Sequence, residues 1–204
     1  MQALERQAPT KPMKPGQVEL QEAEYKRHGT LCLTANREVA TGQIVSPTIE
    51  ETRTEQDFAV HIDRTVKTDP EAGWIFISDQ LNTHCSSTLV ILIAFLIGIP
   101  LVELGIKGES GVLKSVATRR DFLTDPTHRI RFVYTPKHSS WLNQIEIWFS
   151  TLARRLLRRG NFRSKSDLHD QICAYINYDQ KYAKPYRWTY TGRPMKEPGP
   201  TSTS

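Results

Sequence analysis

The stretch that most restricts how this chain can fold is Leu89–Val102 (LVILIAFLIGIPLV), a 14-residue apolar run broken by Gly98 and Pro100. A membrane-spanning helix needs roughly 20 such residues, and a surface helix would carry a polar face. What remains is a helix that ends near Gly98 and is buried inside a sizeable core. The 204 residues can build that core without disulfide or metal staples. At about 150 residues per domain they predict a single domain. The N-terminal MQALERQAPT has no apolar signal core, so the expectation is a soluble, cytoplasmic chain with no membrane partner.

Strand and helix signals flank that element. Gly73–Asp79 (GWIFISD) is a near-continuous apolar run closed by an acid, the pattern of a central strand covered on both faces. Arg129–Tyr134 (RIRFVY) alternates with period two and is stopped by Pro136. Thr30–Ala35 and Gln43–Ile49, separated by a turn at Gly42, predict a hairpin. Thr54 is placed as the N-cap of a helix over Glu55–Val66, where Phe58, Ile62 and Val66 recur at four-residue steps. A long helix is expected from about Ser140 to Arg159, closed by Gly160, and a second over Asp167–Tyr178. Residues 1–16, with Pro9, Pro12 and Pro15, read as an extended connector, and the glycine-punctuated 103–120 as loop. Pro194–Ser204 reads as a disordered tail. This order of hairpin, helix, buried strand, helix, strand and long helices predicts a mixed α/β domain with helices covering a sheet.

The charge balance narrows the partners. Lys and Arg number 27 against 22 Asp and Glu, a net charge of +5 with a pI near 9.2, which has the sign expected for a polyanion binder. Between Ile147 and Ser166 there is no acid, while Arg154, Arg155, Arg158, Arg159, Arg163 and Lys165 all fall there. Helical spacing lines up Arg154 with Arg158 and Arg155 with Arg159. A solvated helix face is usually mixed in sign and this one is not, so phosphate contact is the favoured reading. Cys32, Cys85 and Cys173 are scattered, which excludes a disulfide framework or zinc module. There is neither a nucleophile elbow nor a phosphate loop of the G-x-x-x-x-G-K-[ST] kind.

Two acids stand out. Asp79 sits at the C-terminal end of an apolar strand, where open α/β sheets place ligands; a turn or cap role explains the position equally well. Glu146 lies in WLNQIEIWF among apolar neighbours, with Leu142, Ile145, Phe149, Leu152 and Leu156 defining the expected buried stripe. A carboxylate there needs a hydrogen bond, a metal or a basic partner such as Arg154 or Lys137. Carboxylates on separate elements can converge on Mg²⁺, which prefers oxygen ligands and keeps several waters. Two such ions about 4 Å apart activate an attacking water and stabilise a leaving oxygen in phosphodiester cleavage. His84 and His138 read as incidental loop or capping residues.

At these residues the chain resembles the bacterial insertion-sequence-630 branch of mariner-like DDE transposases. The likeness is strongest in Tyr134–Phe149 (YTPKHSSWLNQIEIWF), and continues through Arg158–Phe162 (RRGNF) and Lys184–Gly192 (KPYRWTYTG). Upstream it includes QALER at Gln2–Arg6, YKRHGT at Tyr25–Thr30 and DQLNTH at Asp79–His84. The resemblance implies a ribonuclease H-like mixed sheet flanked by helices over residues 1–193, followed by the tail. It implies a triad of acids binding Mg²⁺ or Mn²⁺, with Asp79 matching the second and Glu146 the third. The family's first acid ends a strand lying just before the segment matched by Gln2–Arg6, so an N-terminally truncated catalytic domain is expected; neither Glu5 nor Glu19 occupies the motif position. The implied partners are DNA, both transposon ends and target, with a homodimer admitted and a nucleoid-associated location. Two functions follow: metal-dependent DNA strand cleavage and strand transfer, or an inactive remnant that only binds DNA or a full-length transposase.

Overall fold

Among the residues described by the computed structural model, 1–7, 13–16, 24–136 and 142–187, the strands pair two at a time. β1 (Gln2–Arg6) runs antiparallel to β2 (Tyr25–Thr30), β3 (Cys32–Arg37) antiparallel to β4 (Ile44–Glu50), and β5 (Trp74–Ser78) parallel to β6 (Ile130–Tyr134). The β3–β4 hairpin is the expected one, with a register shift between Thr34 and Asn36. β1 corrects the reading of residues 1–16 as connector. Ala3 is fully buried, the Leu4 carbonyl accepts from the Phe162 amide at 2.9 Å, and the Arg6 amide donates to Asn161 Oδ1 at 2.8 Å. Those partners lie more than 150 residues away, beyond the reach of a local pattern.

Five α-helices accompany the strands among the described residues. α1 (Glu55–Val66) begins at Thr54, whose side chain accepts from the Asp57 amide while Asp57 accepts in return from the Thr54 amide. α2 (Ser87–Ile97) takes its cap from Ser86 and ends at Gly98, whose φ of 80° is the left-handed conformation glycine adopts freely. Leu89, Val90, Ile93 and Ala94 are buried, but Phe95 stays 72% exposed, so α2 is covered on one side and not enclosed. α3 (Val116–Thr124) falls partly inside the segment read as loop; its cap, Ser115 with Thr118, follows directly after the glycines that masked it.

The expected helix from Ser140 to Arg159 is two structures. α4 spans Gln144–Leu152, and Ala153–Leu157 forms a π-helical turn in which the Arg158 amide donates to the Ala153 carbonyl at 2.9 Å. The wider turn shifts the angular register of the arginines after Leu152. α5 (Lys165–Gln180) starts at Ser164 and outruns the expected Asp167–Tyr178 at both ends. Trp148 and Leu152 are the buried residues of α4, whereas Ile145 and Phe149 are half-buried, a stripe rotated from the expected one. Lys137, His138 and residues 194–204 lie outside the described residues.

Two apolar cores result. One gathers Ile62, Val66, Phe76, Leu89, Ile93, Leu123, Ile130 and Phe132 between the β5–β6 pair and helices α1–α3. The other gathers Ala3, Leu31, Ile44, Trp148, Leu152, Phe162, Leu168 and Ile172 beneath α4 and α5. The expectation that β5 is covered on both faces is corrected here. Phe76 and Ser78 are buried, but Ile75 is 56% and Ile77 50% exposed.

Candidate metal and nucleic-acid site

Asp79 is carried past the end of β5 by the β5–β6 ladder. The Thr135 amide donates to the Ser78 carbonyl at 2.8 Å, and Gln80 Nε2 donates to the Thr135 carbonyl at 2.9 Å, which locks the two strand ends together. The Leu81 amide donates to Asp79 Oδ1 at 3.1 Å, the turn role that sequence allowed. The same oxygen lies 2.6 Å from His84 Nδ1, which is also 2.8 Å from Ser78 Oγ. His84 is therefore a direct partner of Asp79 and not incidental. Its ring packs on Phe58 with centroids 4.1 Å apart, and its carbonyl accepts from the Tyr134 hydroxyl at 2.7 Å. Burial pushes the His84 imidazole below its ordinary pKa, and the adjacent Asp79 charge opposes that shift without cancelling it. A neutral ring protonated at Nδ1 can still donate to the carboxylate.

Glu146 stands in the first turn of α4, where a negative charge is favoured by the helix dipole, and its side chain is exposed. Asn143 caps this helix by accepting from the Ile145 amide. Arg37 Nη1 donates to Gln144 Oε1 at 3.0 Å, fastening the helix start to β3. Arg154 turns to Thr151 and not to Glu146, and among the described residues no ion pair includes Glu146. A cavity of about 190 Å³ has both Asp79 and Glu146 on its wall, together with His84, Asn143, Asn36 and Arg53. Asn36, Arg53 and Ser78 carried no sequence signal; Asn143 offered one by standing three residues before Glu146, and His84 by lying five residues after Asp79. Among the described residues no group of three His, Cys, Asp or Glu side chains converges as a metal cage would.

Arg154, Arg155, Arg158, Arg159 and Arg163 are exposed. Lys165 differs: its ammonium is paired with Glu51 and its methylenes lie against Gly29, where an added Cβ would meet them at 3.0 Å. The Arg158 carbonyl accepts from Arg6 at 3.2 Å. The basic group thus divides into an arginine cluster around the π turn and one lysine already engaged.

Among the described residues no helix is long and apolar enough to cross a membrane. No curated protein and no solved structure matches the chain. The family model of the DDE superfamily endonuclease matches residues 3–169, a span that contains Asp79, Glu146 and every basic residue named above. With most of its length inside that match, the chain belongs to the DDE superfamily endonucleases.

Proposed function

We propose that the chain is the catalytic domain of an insertion-sequence-630-type transposase, with a ribonuclease H-like arrangement, that hydrolyses a DNA phosphodiester and passes the freed 3′-hydroxyl to target DNA. The observation that carries this reading is the shared cavity of Asp79 and Glu146, two carboxylates from elements 67 positions apart in sequence. The donor set fits a hard divalent ion: both groups offer oxygen, Asp79 is held by His84 and the Leu81 amide through one oxygen, and Glu146 has no competing cation among the described residues. Mg²⁺ or Mn²⁺ bound there would supply charge for the attacking and leaving oxygens of the displacement. His84 orients Asp79, Asn143 and Arg37 orient the start of α4, and Arg154, Arg155, Arg158 and Arg159 hold phosphates of the duplex.

The test is a strand-nicking assay with Mg²⁺ or Mn²⁺ on supercoiled DNA. Asp79→Ala and Glu146→Ala are each expected to reduce nicking to background while leaving DNA binding in place. Nicking that persists in both variants would overturn the assignment. A second reading, a DNA-binding remnant without catalysis, draws on one observation: no three-carboxylate cluster forms among the described residues. It predicts salt-dependent DNA binding with no metal-dependent nicking by the parent chain.

A further inference from the structure

The outer side of α5 carries three side chains that the cleavage chemistry does not use. His169 and Asp170 are exposed and Cys173 is half-buried. Leu168, Ile172 and Ile176 pin the opposite face of the helix to the second core. Positions 169 and 173 are one turn apart, so the backbone already holds both side chains on one face. Asp170 Oδ1 lies 3.0 Å from His169 Nδ1. A carboxylate only accepts, so Nδ1 carries the ring proton and Nε2 of the neutral imidazole keeps its lone pair. The Cys173 sulfur stands 3.8 Å from Nε2 and 4.0 Å from Nδ1. With Nδ1 engaged by Asp170, Nε2 is the nitrogen left to share an ion with that sulfur.

We infer that His169 Nε2 and Cys173 Sγ form a two-point chelate for a Zn²⁺-class ion on α5, with Asp170 as the outer partner that orients the imidazole. The span fits. A Zn–S bond of about 2.3 Å and a Zn–N bond of about 2.0 Å, at the tetrahedral angle, set the two donors about 3.5 Å apart. The 3.8 Å seen here is within a few tenths of an ångström of that value. The His169 side chain is 49% exposed and has room to turn its lone pair to the shared point. Donor type sets the class of ion. Thiolate with imidazole selects Zn²⁺, Co²⁺ or Ni²⁺ over the hard Mg²⁺ and Mn²⁺. A carboxylate behind the ligating imidazole fixes its tautomer and raises its basicity, the role given to Asp170. On binding, the S–H bond of Cys173 breaks, the proton passes to solvent and the sulfur pair bonds the ion, with no change of oxidation state. Among the described residues no third His, Cys, Asp or Glu completes a cage, so water fills the remaining positions. Because the two donors meet only while this turn is helical, the ion stabilises the folded chain by mass action. The site is separate from the cavity of Asp79 and Glu146, whose wall includes no residue of α5.

The test uses the full chain without DNA, so its outcome is separate from that of the nicking assay. Co²⁺ is titrated while the thiolate-to-cobalt absorption in the near ultraviolet is read. The band should saturate at one ion per chain, disappear when Zn²⁺ is added and withstand a large excess of Mg²⁺. Cys173→Ser and His169→Gln should each abolish it, whereas Cys32→Ser should leave it intact. Asp170→Asn should weaken Co²⁺ binding by about tenfold or more; unchanged affinity would remove Asp170 from the site. No band in the parent chain would overturn the inference. A band that survives His169→Gln would reduce the site to a thiol alone, and one that survives Cys173→Ser would place the ion elsewhere; either result overturns the chelate. Alkylation of Cys173 by iodoacetamide, followed by peptide mass spectrometry, gives a second readout. Zn²⁺ should slow it in the parent chain and not in His169→Gln, and equal slowing in both would also overturn the chelate.

Discussion

The core around β5 and β6 is assembled from one continuous stretch, Ile62 to Phe132, whereas the core under α4 and α5 joins Ala3, Leu31 and Ile44 to Trp148, Phe162 and Ile176. The first closes through local contacts. The second must bring together segments separated by about half of the chain or more, at a loop-closure cost that grows slowly with separation but with a slower search. Asp79 belongs to the first region and Glu146 to the second, so their shared cavity exists only when both are docked. The seam between them is polar. Asn36 donates to Thr65 at 2.8 Å, Thr65 to the His61 carbonyl at 2.9 Å, and Thr48 lies 3.2 Å from His61 Nδ1.

The largest effects come from testing whether the cores open separately. Ile93→Ala and Ile172→Ala each remove a fully buried side chain and should each cost about 3 kcal/mol. In hydrogen exchange, Ile172→Ala should speed the amides of α5 and leave those of α2 near their parent rates. Equal acceleration in both helices would break the distinction between the two regions.

The seam itself should respond to acid. His61 is fully buried, and burial, helped by the nearby charges of Arg64 and His84, pushes its pKa down to about 4. The unfolded state takes up a proton near the ordinary value of 6.5, while the folded state resists until about 4. Stability contributed by the neutral ring is therefore complete above pH 6.5 and falls as the pH drops toward 4. The loss is about 3 kcal/mol at most, from roughly 1.4 kcal/mol per unit. Urea midpoints across that range should fall for the parent and stay flatter for His61→Leu; matching slopes would remove His61 as the cause.

The same division explains what was legible in the sequence. The caps of α1 and α2, Thr54 and Gly98, are local chemistry, and the helices lie where their residues predict. β1 was missed because its partners, β2 and the segment at Asn161–Phe162, are set by tertiary pairing. β5 read as doubly covered because periodicity reports what a strand can bury and not what is present to cover it. The π turn is invisible to a 3.6-residue pattern, since Leu152, Leu156 and Leu157 suit either winding. At the candidate site, Asp79 and Glu146 stand out by their positions in strand and helix, while the metal-binding role proposed for them rests on the resemblance and not on position alone. His84 was underweighted because its meaning depends on a 2.6 Å contact that spacing cannot provide.

Glycines at the ends of one helix from each region separate two kinds of constraint. An added Cβ at Gly160 would stand 2.1 Å from the Phe162 ring and 2.7 Å from the Leu156 carbonyl, so the restriction is space. At Gly98 nothing lies within 4 Å, and the restriction is the φ of 80°. Gly160→Ala should cost about 2 kcal/mol through overpacking and Gly98→Ala about 1 kcal/mol through conformation. Asn, which tolerates the left-handed region, should recover part of the loss at Gly98 and none at Gly160 in thermal unfolding. Recovery at both positions would mean that the Phe162 ring yields easily.

The smallest effect concerns the cations of the second region, where exposure and pairing make opposite claims about DNA. Arg159 is exposed on the arginine cluster, while Lys165 is committed to Glu51 across the gap to the residues after β4. A cation that neutralises a phosphate contributes about 0.9 to the slope of log K against log salt. Arg159→Ala should therefore lower that slope by about 0.9 with non-specific duplex DNA, whereas Lys165→Ala should leave it unchanged. As an exposed ion pair, Lys165–Glu51 contributes only about 0.5 kcal/mol to stability, so its loss should not disturb the fold enough to mimic a binding defect. A slope lowered equally by both substitutions would mean that DNA displaces Glu51 from Lys165, which would extend the phosphate-binding face from the π turn onto the first turn of α5.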